Sequence, residues 1–269
     1  MGYKLIALDI DGTIRSNERP ISARTSRAVN MASQAGAVIT LATGRMFQSA
    51  LAATADLKIT SPIVSYQGAH IADAITGKVL WHRPLTPEMS VEALDALSTW
   101  EREVLAYHDD QVYVNMLTPW VEAYAERNQG WVHVVPDLNA LAAKKPTRLV
   151  AAGDEDDIHA LHLQLKAALD SQLSIIRSLP HFCEILHPDS GKQKALAWLC
   201  RHLGIRQDET VAFGNAYDDV EMLRWVGLGV GVRGAVPEVL GVADRIASPM
   251  EEDGPAEVME DLLRRGLVG

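Results

Sequence analysis

The sequence predicts an α/β protein with a parallel β-sheet and an inserted α+β domain, and three observations support this fold class. Short apolar runs alternate with helical segments near both ends of the chain. The middle of the chain instead carries hairpin patterns, which are typical of antiparallel sheets. Acidic residues, hydroxyl residues and glycines directly follow several apolar runs, as they do where parallel strands end at a ligand site.

The N-terminal segment supplies the first strands of the predicted sheet. Ser22 and Gly36 are typical of the N-cap and of the residue after the end of the first helix. The predicted elements are the strand LIAL (5–8), that first helix, the strand AVITLATGR (37–45), a helix over 46–57 and the strand PIVSYQGA (62–69). Strands separated by helices of this length form right-handed βαβ units.

The middle of the chain changes pattern near Ile71. Thr76-Gly77 and Asp109-Asp110 are the predicted turns of two hairpins, and Thr86-Pro87-Glu88 is typical of a helix start. The further predicted elements are helices over 119–130 and 154–170 and strands over 131–135, 147–153, 173–178 and 182–186. This mixture indicates a separate α+β unit.

The alternation of strand and helix returns after Ser190. The predicted elements are helices over 191–204, 218–227 and 255–266 and strands over 210–214 and 228–232. The simplest organisation is a discontinuous parallel-sheet domain, residues 1–80 and 184–269, with residues 81–183 inserted as a second domain.

Composition and charge exclude several classes of partner. The chain has 269 residues and a formal net charge of −10, which argues against a nucleic-acid surface. We expect no membrane partner, since no run approaches eighteen apolar residues. The two cysteines and the early first strand predict a cytoplasmic protein. The sequence does not predict the oligomeric state.

Two side-chain groups of the insert have open roles. Lys144, Lys145 and Arg148 are typical of a solvated loop, or they could bind a second anionic group of a substrate. The aromatic side chains fill the core of the insert or stack on a substrate ring, and they are Trp120, Tyr124 and Trp131.

Two carboxylates, Asp9 and Asp11, lie on the same side of the chain where the first strand ends. Neighbouring carboxylates repel each other unless a cation or a proton lies between them. The pair therefore predicts Mg²⁺ binding or a division of acid and base roles, although Gly12-Thr13 alone would also fit a simple turn.

Three further groups of residues follow or precede predicted elements at the same edge of the sheet. The second strand ends in Thr43-Gly44-Arg45, which offers a hydroxyl and a positive charge for an anion. Lys192 begins a helix, and the strand TVAFG is followed by Asn215, Asp218 and Asp219. Together with Asp9 and Asp11 these residues make up an inventory for phosphoryl transfer.

These motifs resemble those of the haloacid dehalogenase superfamily, and most closely its Cof-like phosphatases (subfamily IIB), which carry an inserted α/β cap. Residues 9–13 match the nucleophile motif, residues 43–45 the second motif, Lys192 the third and residues 214–219 the fourth. The resemblance implies a Rossmann-like catalytic core and a cap over residues 81–183. It covers both core segments, whereas in the cap it is one of size and layout.

The resemblance also implies a Mg²⁺-dependent phosphatase that hydrolyses a small phosphorylated metabolite, such as a sugar phosphate, through an aspartyl-phosphate. Asp9 would be the nucleophile, Asp11 the general acid and base, and Lys192 the group that offsets phosphoryl charge. The substrate phosphate would be bound by Gly12, Thr43, Gly44 and Arg45. The metal ligands would come from Asp9, Asp11, Asn215, Asp218 and Asp219.

The chain departs from the family pattern in its fourth motif. The usual order is Gly-Asp, two residues, then Asn-Asp, whereas residues 214–219 read Gly-Asn-Ala-Tyr-Asp-Asp. An amide at Asn215 brings no charge, so we expect weaker metal binding unless Asp218 reaches inward. The other departures are Gln67, Gln193 and Gly234.

Two alternative functions stay open at this point. A phosphotransferase, such as a hexose-phosphate mutase, could use the same core and pass the phosphoryl group to a sugar. A non-catalytic ligand-binding protein of this fold is the other alternative, and Asn215 is the residue that suggests it.

Overall fold

A computed structural model describes residues 2–16, 18–127 and 132–269. The chain forms two compact units. The first contains the chain up to Trp81 and from Gly191 onwards, and the second is His82–Ser190. The chain returns from the second unit to the first after Ser190, whereas the sequence predicted the return at 183/184. The difference arises because residues 182–186 form a strand within the sheet of the second unit.

The first unit is built on a five-stranded parallel sheet with the strand order β14-β13-β12-β1-β2. Its strands are β1 (Leu5–Leu8), β2 (Val38–Leu41), β12 (Thr210–Gly214), β13 (Leu228–Val232) and β14 (Arg245–Ala247). Leu8 lies between Leu41 and Phe213 in the register, so β1, β2 and β12 end at the same level. The predicted α/β class with a parallel-sheet core is confirmed.

Helices of the first unit bury small apolar faces against this sheet. They are α1 (Ala23–Gln34), α2 (Phe47–Ala53), α6 (Lys192–Leu203), α7 (Val220–Trp225), α8 (Pro237–Val242) and α9 (Gly254–Arg264). Helix α1 shows why these segments form where they do. The Ser22 hydroxyl accepts a hydrogen bond from the Thr25 N–H at 3.0 Å, and Ala28, Val29 and Ala32 are buried at helical spacing.

The third predicted strand, residues 62–69, was expected in the parallel sheet but forms part of another sheet. Strand β3 (Ile63–Ser65) pairs antiparallel with β4 (His70–Ala72), and β5 (Val79–His82) completes a separate three-stranded sheet. A single bridge between Ala42 and Val64 joins β3 to the end of β2. The reversal occurs because residues 66–68 turn the chain back directly after β3.

The second unit contains a six-stranded sheet with the order β10-β11-β9-β6-β7-β8, in which β7 and β8 are the parallel pair. Its strands are β6 (Val104–His108), β7 (Gln111–Val114), β8 (Val132–Val134), β9 (Arg148–Ala152), β10 (Ser174–Leu179) and β11 (Phe182–Leu186). Its helices are α3 (Pro87–Ala96), α4 (Pro119–Arg127) and α5 (Glu155–Leu169). Trp131, the first residue of a predicted strand, lies outside the described residues.

The two faces of this sheet differ in chemistry. Alternate residues such as Val104, Leu149 and Ile185 pack with α3 and α5 in an apolar core. On the opposite face Trp120 packs edge-on against Phe182, and the Tyr124 and Tyr107 hydroxyls lie 2.7 Å apart. The side chains of Trp120 and Tyr124 are thus engaged within the unit.

Arg148 belongs to this opposite face, and the expectation that it lies in a solvated loop is wrong. It is only 6% exposed and forms an ion pair with Glu184 on the neighbouring strand. Its guanidinium carbon lies 4.1 Å from the centroid of the Tyr107 ring. The pair is therefore a balanced buried charge cluster of the second unit.

No helix in the part of the chain that the structure describes combines the length and apolar character needed to cross a membrane.

Candidate active site

The predicted site residues of the first unit meet where neighbouring strands end. Asp9 follows β1, Thr43 follows β2, and Asn215 follows β12, the other neighbour of β1. Lys192 is the first residue of α6. Because parallel strands in register end at one edge, this topology brings together residues that are about two hundred positions apart.

Lys192 is the centre of a buried cluster. Its ammonium nitrogen donates to Asp9 Oδ1 at 2.8 Å and to Asp219 Oδ1 at 2.7 Å, and it lies 2.9 Å from Asp218 Oδ2. The side chains of Asp9, Asp218 and Lys192 are each at most 7% exposed. Three carboxylates thus face one ammonium group, so two negative charges are uncompensated when all three are ionised.

This imbalance shifts the protonation equilibria of the cluster. Burial raises the pKa of Asp9 to about 8, although Lys192 acts in the opposite direction. Burial likewise raises the pKa of Asp219. Burial alone would lower the pKa of Lys192, but Asp218, Asp219 and Asp9 together hold it well above its usual value. The ammonium group therefore stays charged, and its single positive charge is not enough to balance the three carboxylates around it.

Asp219 also organises the turn that follows β12. Its Oδ2 accepts hydrogen bonds from the N–H groups of Asn215 at 2.9 Å and Ala216 at 3.0 Å. Both of its oxygens are thus engaged, one with Lys192 and one with the backbone. Asp218 and Asp219, which we expected among the metal ligands, lie on the lysine side of the site.

Asn215 lies on the other side of Asp9. One terminal atom of its amide is 3.3 Å from Asp9 Oδ2, 3.0 Å from the Asp11 carbonyl oxygen and 2.8 Å from Thr13 Oγ1. When the amide nitrogen takes this position it donates to all three oxygens. Thr13 also donates to Asp9 Oδ2 at 3.1 Å. The second Asp9 oxygen is therefore held by neutral donors.

The same atoms fit a magnesium ion when the amide oxygen faces them. Adjacent ligands of an octahedral Mg²⁺ ion lie about 2.9 Å apart, since each is about 2.1 Å from the metal. The 3.0 and 3.3 Å separations of the Asn215 terminal atom from the Asp11 and Asp9 oxygens are close to that value. The two uncompensated charges beside them also suit a divalent cation.

Gly12 makes this close approach possible. Its φ of +83° is in the left-handed region, and a Cβ at this position would lie 2.3 Å from the Asn215 amide. Any larger residue would push the fourth motif away from Asp9. Gly12 thus supports the position of Asn215, in addition to the substrate-binding role that the resemblance implies.

Arg45 contacts Asp11. Its Nε donates to Asp11 Oδ2 at 2.6 Å and its Nη2 to Asp11 Oδ1 at 2.7 Å, a bidentate pair at the half-exposed rim of the site. The Thr43 hydroxyl accepts a hydrogen bond from the Arg45 N–H at 3.1 Å. Helix α2 begins at Phe47, one residue after the predicted start, and ends at Ala53, earlier than the predicted 57.

Residues 66–68 form a support for the site that we did not predict from the sequence. All three have positive φ, and the N–H groups of Tyr66 and Gln67 donate to the Arg45 and Thr43 carbonyls. A Cβ on Gly68 would lie 2.2 Å from the carbonyl oxygen of Gly191, directly before Lys192. The turn therefore connects the second motif to the third. The glycine after a polar residue at the end of β3 is the signal that could have indicated it.

A profile of the haloacid dehalogenase-like hydrolase family matches residues 6–259. Among curated proteins, the stress response protein YhaX of Bacillus subtilis (strain 168) is 26% identical over 98% of this chain and 94% of its own length. An HMP-PP phosphatase of Enterobacter sp. (strain 638) is 28% identical, over 88% of this chain and 86% of its own. The 5-amino-6-(5-phospho-D-ribitylamino)uracil phosphatase YitU of B. subtilis is 27% identical over 96% of each chain.

Solved structures show the same fold. A haloacid dehalogenase-like hydrolase from Bacteroides thetaiotaomicron superposes with a TM-score of 0.83 at 25% sequence identity. The superposition covers 97% of this chain and 99% of that one, so both units are part of the shared fold.

Proposed function

This chain belongs to the haloacid dehalogenase-like hydrolases, in the Cof-like branch that its motifs predict, and it is a phosphoric monoester hydrolase. We propose that it is a Mg²⁺-dependent phosphatase of a small phosphorylated metabolite. The carboxylate of Asp9 carries this proposal, because one of its oxygens contacts Lys192 and the other faces Asn215 and Thr13. The names of two relatives, which specify HMP-PP and a phosphoribitylamino-uracil as substrates, support the substrate class.

In the first half of the proposed reaction, Asp9 attacks the phosphorus of the ester. A bond forms between the Asp9 carboxylate and phosphorus, and the bond from phosphorus to the alcohol oxygen breaks. Asp11 donates a proton to the leaving alcohol. In the structure Arg45 pairs with both oxygens of the Asp11 carboxylate and so positions it; for this step Asp11 carries the donated proton on an oxygen that it turns away from Arg45.

In the second half, water attacks the phosphorus of the aspartyl-phosphate. Asp11, now a carboxylate, accepts the proton of that water, and the Asp9 carboxylate leaves. Inorganic phosphate is the product and the enzyme returns to its starting state. Lys192 lies against Asp9 in both halves, where its charge offsets the charge of the phosphoryl oxygens. The Thr43 hydroxyl and the turn through Gly44 would hold those oxygens.

A magnesium ion would be held by Asp9 Oδ2, the Asp11 carbonyl oxygen and the Asn215 amide oxygen. When bound, it supplies positive charge next to the transferring phosphoryl group. Asp218 and Asp219 would not be ligands of this ion; they contact the Lys192 ammonium group and hold it in place.

The second unit, His82–Ser190, is proposed as the cap that selects the leaving group and excludes water. A cytoplasmic location stays a prediction from the sequence.

The test is phosphate release from a panel of sugar phosphates, phosphorylated cofactors and nucleotide monophosphates, with Mg²⁺ and with a chelator. We expect Mg²⁺-dependent turnover that Asp9→Asn abolishes. Asp208→Asn is the matched control, since Asp208 is an exposed carboxylate of the same unit that pairs with Arg206, and it should leave turnover unchanged. Release in the chelator, or full turnover by Asp9→Asn, would contradict the proposal. No release from any ester would favour the phosphotransferase or the non-catalytic alternative.

A further inference from the structure

Two substitutions in the fourth motif lie on opposite sides of one carboxylate. Asn215, where the family has an aspartate, faces Asp9 Oδ2. Asp218, where the family has an asparagine, lies 2.9 Å from the Lys192 ammonium group, which itself holds Asp9 Oδ1. Compared with the usual motif, one carboxylate is thus absent beside Asp9 Oδ2, the cation side, and one is added beside Lys192, the lysine side. The number of carboxylates in the motif is unchanged.

The move changes which groups the metal-free protein leaves unsatisfied. With an aspartate at 215, three acceptors would meet on the cation side: two carboxylate oxygens and the Asp11 carbonyl. Within the described residues, the Thr13 hydroxyl is the donor that contacts Asp9 Oδ2 on this side. With Asn215, the amide nitrogen donates to Asp9 Oδ2 and to the Asp11 carbonyl and so replaces the cation there. The repulsion is relieved without a metal.

The relocated charge is also better placed in the metal-free state. Asp218 is 7% exposed, so its carboxylate needs a partner, and it finds Lys192. On the cation side the same charge would lie beside the Asp9 carboxylate instead. The arrangement therefore favours the metal-free form.

We propose that Asn215 and Asp218 are a reciprocal pair that makes this site stable without metal and its Mg²⁺ affinity low, because the Asn215 amide must turn its nitrogen away before its oxygen can bind the ion. This inference rests on the proposed function, since it takes Asp9 and Asp11 as the partners of the cation. It extends that function by making activity respond to the Mg²⁺ concentration.

The test measures Mg²⁺ binding by calorimetry and thermal unfolding in a chelator, both without substrate. Four proteins are compared: wild type, Asn215→Asp, Asp218→Asn and the double variant. For Asn215→Asp we expect about tenfold tighter Mg²⁺ binding, because a carboxylate replaces an amide ligand. We also expect a melting temperature in the chelator that is lower by roughly 3 °C or more, since a third negative charge is left uncompensated.

The double variant is the decisive protein. It should keep the tighter Mg²⁺ binding of Asn215→Asp and regain part of the lost melting temperature, because it returns to two uncompensated charges. In the chelator it should still melt below wild type, because its carboxylate at position 215 faces Asp9 and not Lys192. If Asn215→Asp does not fold in the chelator, the double variant still has to fold and bind Mg²⁺ more tightly than wild type.

Three results would overturn the inference: unchanged affinity in the variants that carry Asn215→Asp, an unchanged melting temperature in Asn215→Asp, or a double variant that is as stable as wild type in the chelator. Turnover of wild type at saturating Mg²⁺ is scored separately. A failure of this inference is therefore distinguishable from a failure of the phosphatase proposal.

Discussion

Each of the two units buries a cluster of charged side chains, and the two clusters differ in their charge balance. In the second unit, Arg148 faces Glu184 one to one beneath the ring of Tyr107. In the first unit, one lysine faces three carboxylates: Asp9, Asp218 and Asp219. Both clusters are almost fully removed from water.

This difference separates a structural role from a catalytic one. A balanced pair is complete by itself, so removing either partner leaves a buried charge alone. An excess of two negative charges is incomplete and suits a cation and a reaction that needs a carboxylate nucleophile. Neutralising a carboxylate should therefore have opposite effects on stability in the two units.

The largest effect is expected from Glu184→Gln in the balanced cluster. The change leaves the Arg148 guanidinium buried without a counter-charge and should lower the free energy of unfolding by about 3 kcal/mol. Denaturant unfolding measures it. Glu155→Gln is the matched control, because Glu155 is exposed where it pairs with Arg177 and should cost less than about 1 kcal/mol. Equal costs for the two variants would show that the buried pair is not structural.

The next effect concerns the rim of the unbalanced cluster. Arg45→Lys removes the bidentate hold on Asp11, so proton transfer to a poor leaving group should slow by about tenfold in kcat. With a nitrophenyl ester the leaving group needs no proton, so only the second half of the reaction, in which Asp11 accepts the proton of water, should slow, and the loss should be smaller. Arg24→Lys breaks a similar bidentate pair with Glu260 in the same unit and serves as the control. An unchanged kcat on both esters would contradict a positioning role for Arg45.

A smaller effect of opposite sign is expected from Asp9→Asn in a chelator. The amide removes one of the two uncompensated charges and still accepts a hydrogen bond from Lys192, so the free energy of unfolding should rise by about 1 kcal/mol. The direction agrees with the pKa of Asp9, which burial raises to about 8. The measurement is denaturant unfolding at pH 8. A loss of stability as large as that of Glu184→Gln would mean that the two clusters are energetically alike.

The smallest effect is a pH dependence in the second unit. Burial lowers the pKa of His82 below its usual 6.5, and its Nε2 lies 3.0 Å from Thr147 Oγ1. The unfolded chain therefore takes up a proton near pH 6.5 that the folded chain takes up only at lower pH, and stability falls as the pH drops through 6.5. His82→Gln should reduce the slope of unfolding free energy between pH 7 and pH 5. An unchanged slope would exclude His82 as its source.

The positions of the site residues could be predicted from the sequence because each follows or precedes a regular element. Asp9 and Asn215 come directly after apolar strands and Thr43 comes two residues after one, and a parallel sheet brings strand ends to one edge. The family resemblance predicted from these motifs is confirmed, as is the fold class.

The partners of the charged side chains could not be predicted in the same way. Whether Arg45 would face Asp11, or Asp218 would face Lys192, depends on side-chain directions that spacing along the chain does not define. Arg148 is instructive, because it and Glu184 each interrupt an apolar strand, and two strand charges of opposite sign are a signal for a cross-strand pair.

The most direct measurement is to trap the covalent intermediate on Asp9. The enzyme is mixed with Mg²⁺ and an ester that it hydrolyses, and the reaction is quenched with borohydride. Borohydride reduces an aspartyl-phosphate to homoserine, and peptide mass spectrometry then locates the reduced residue. We expect homoserine at position 9 in wild type and none in Asp9→Asn. Reduction at Asp218 or at another carboxylate, or turnover without any reduced residue, would show that Asp9 is not the nucleophile.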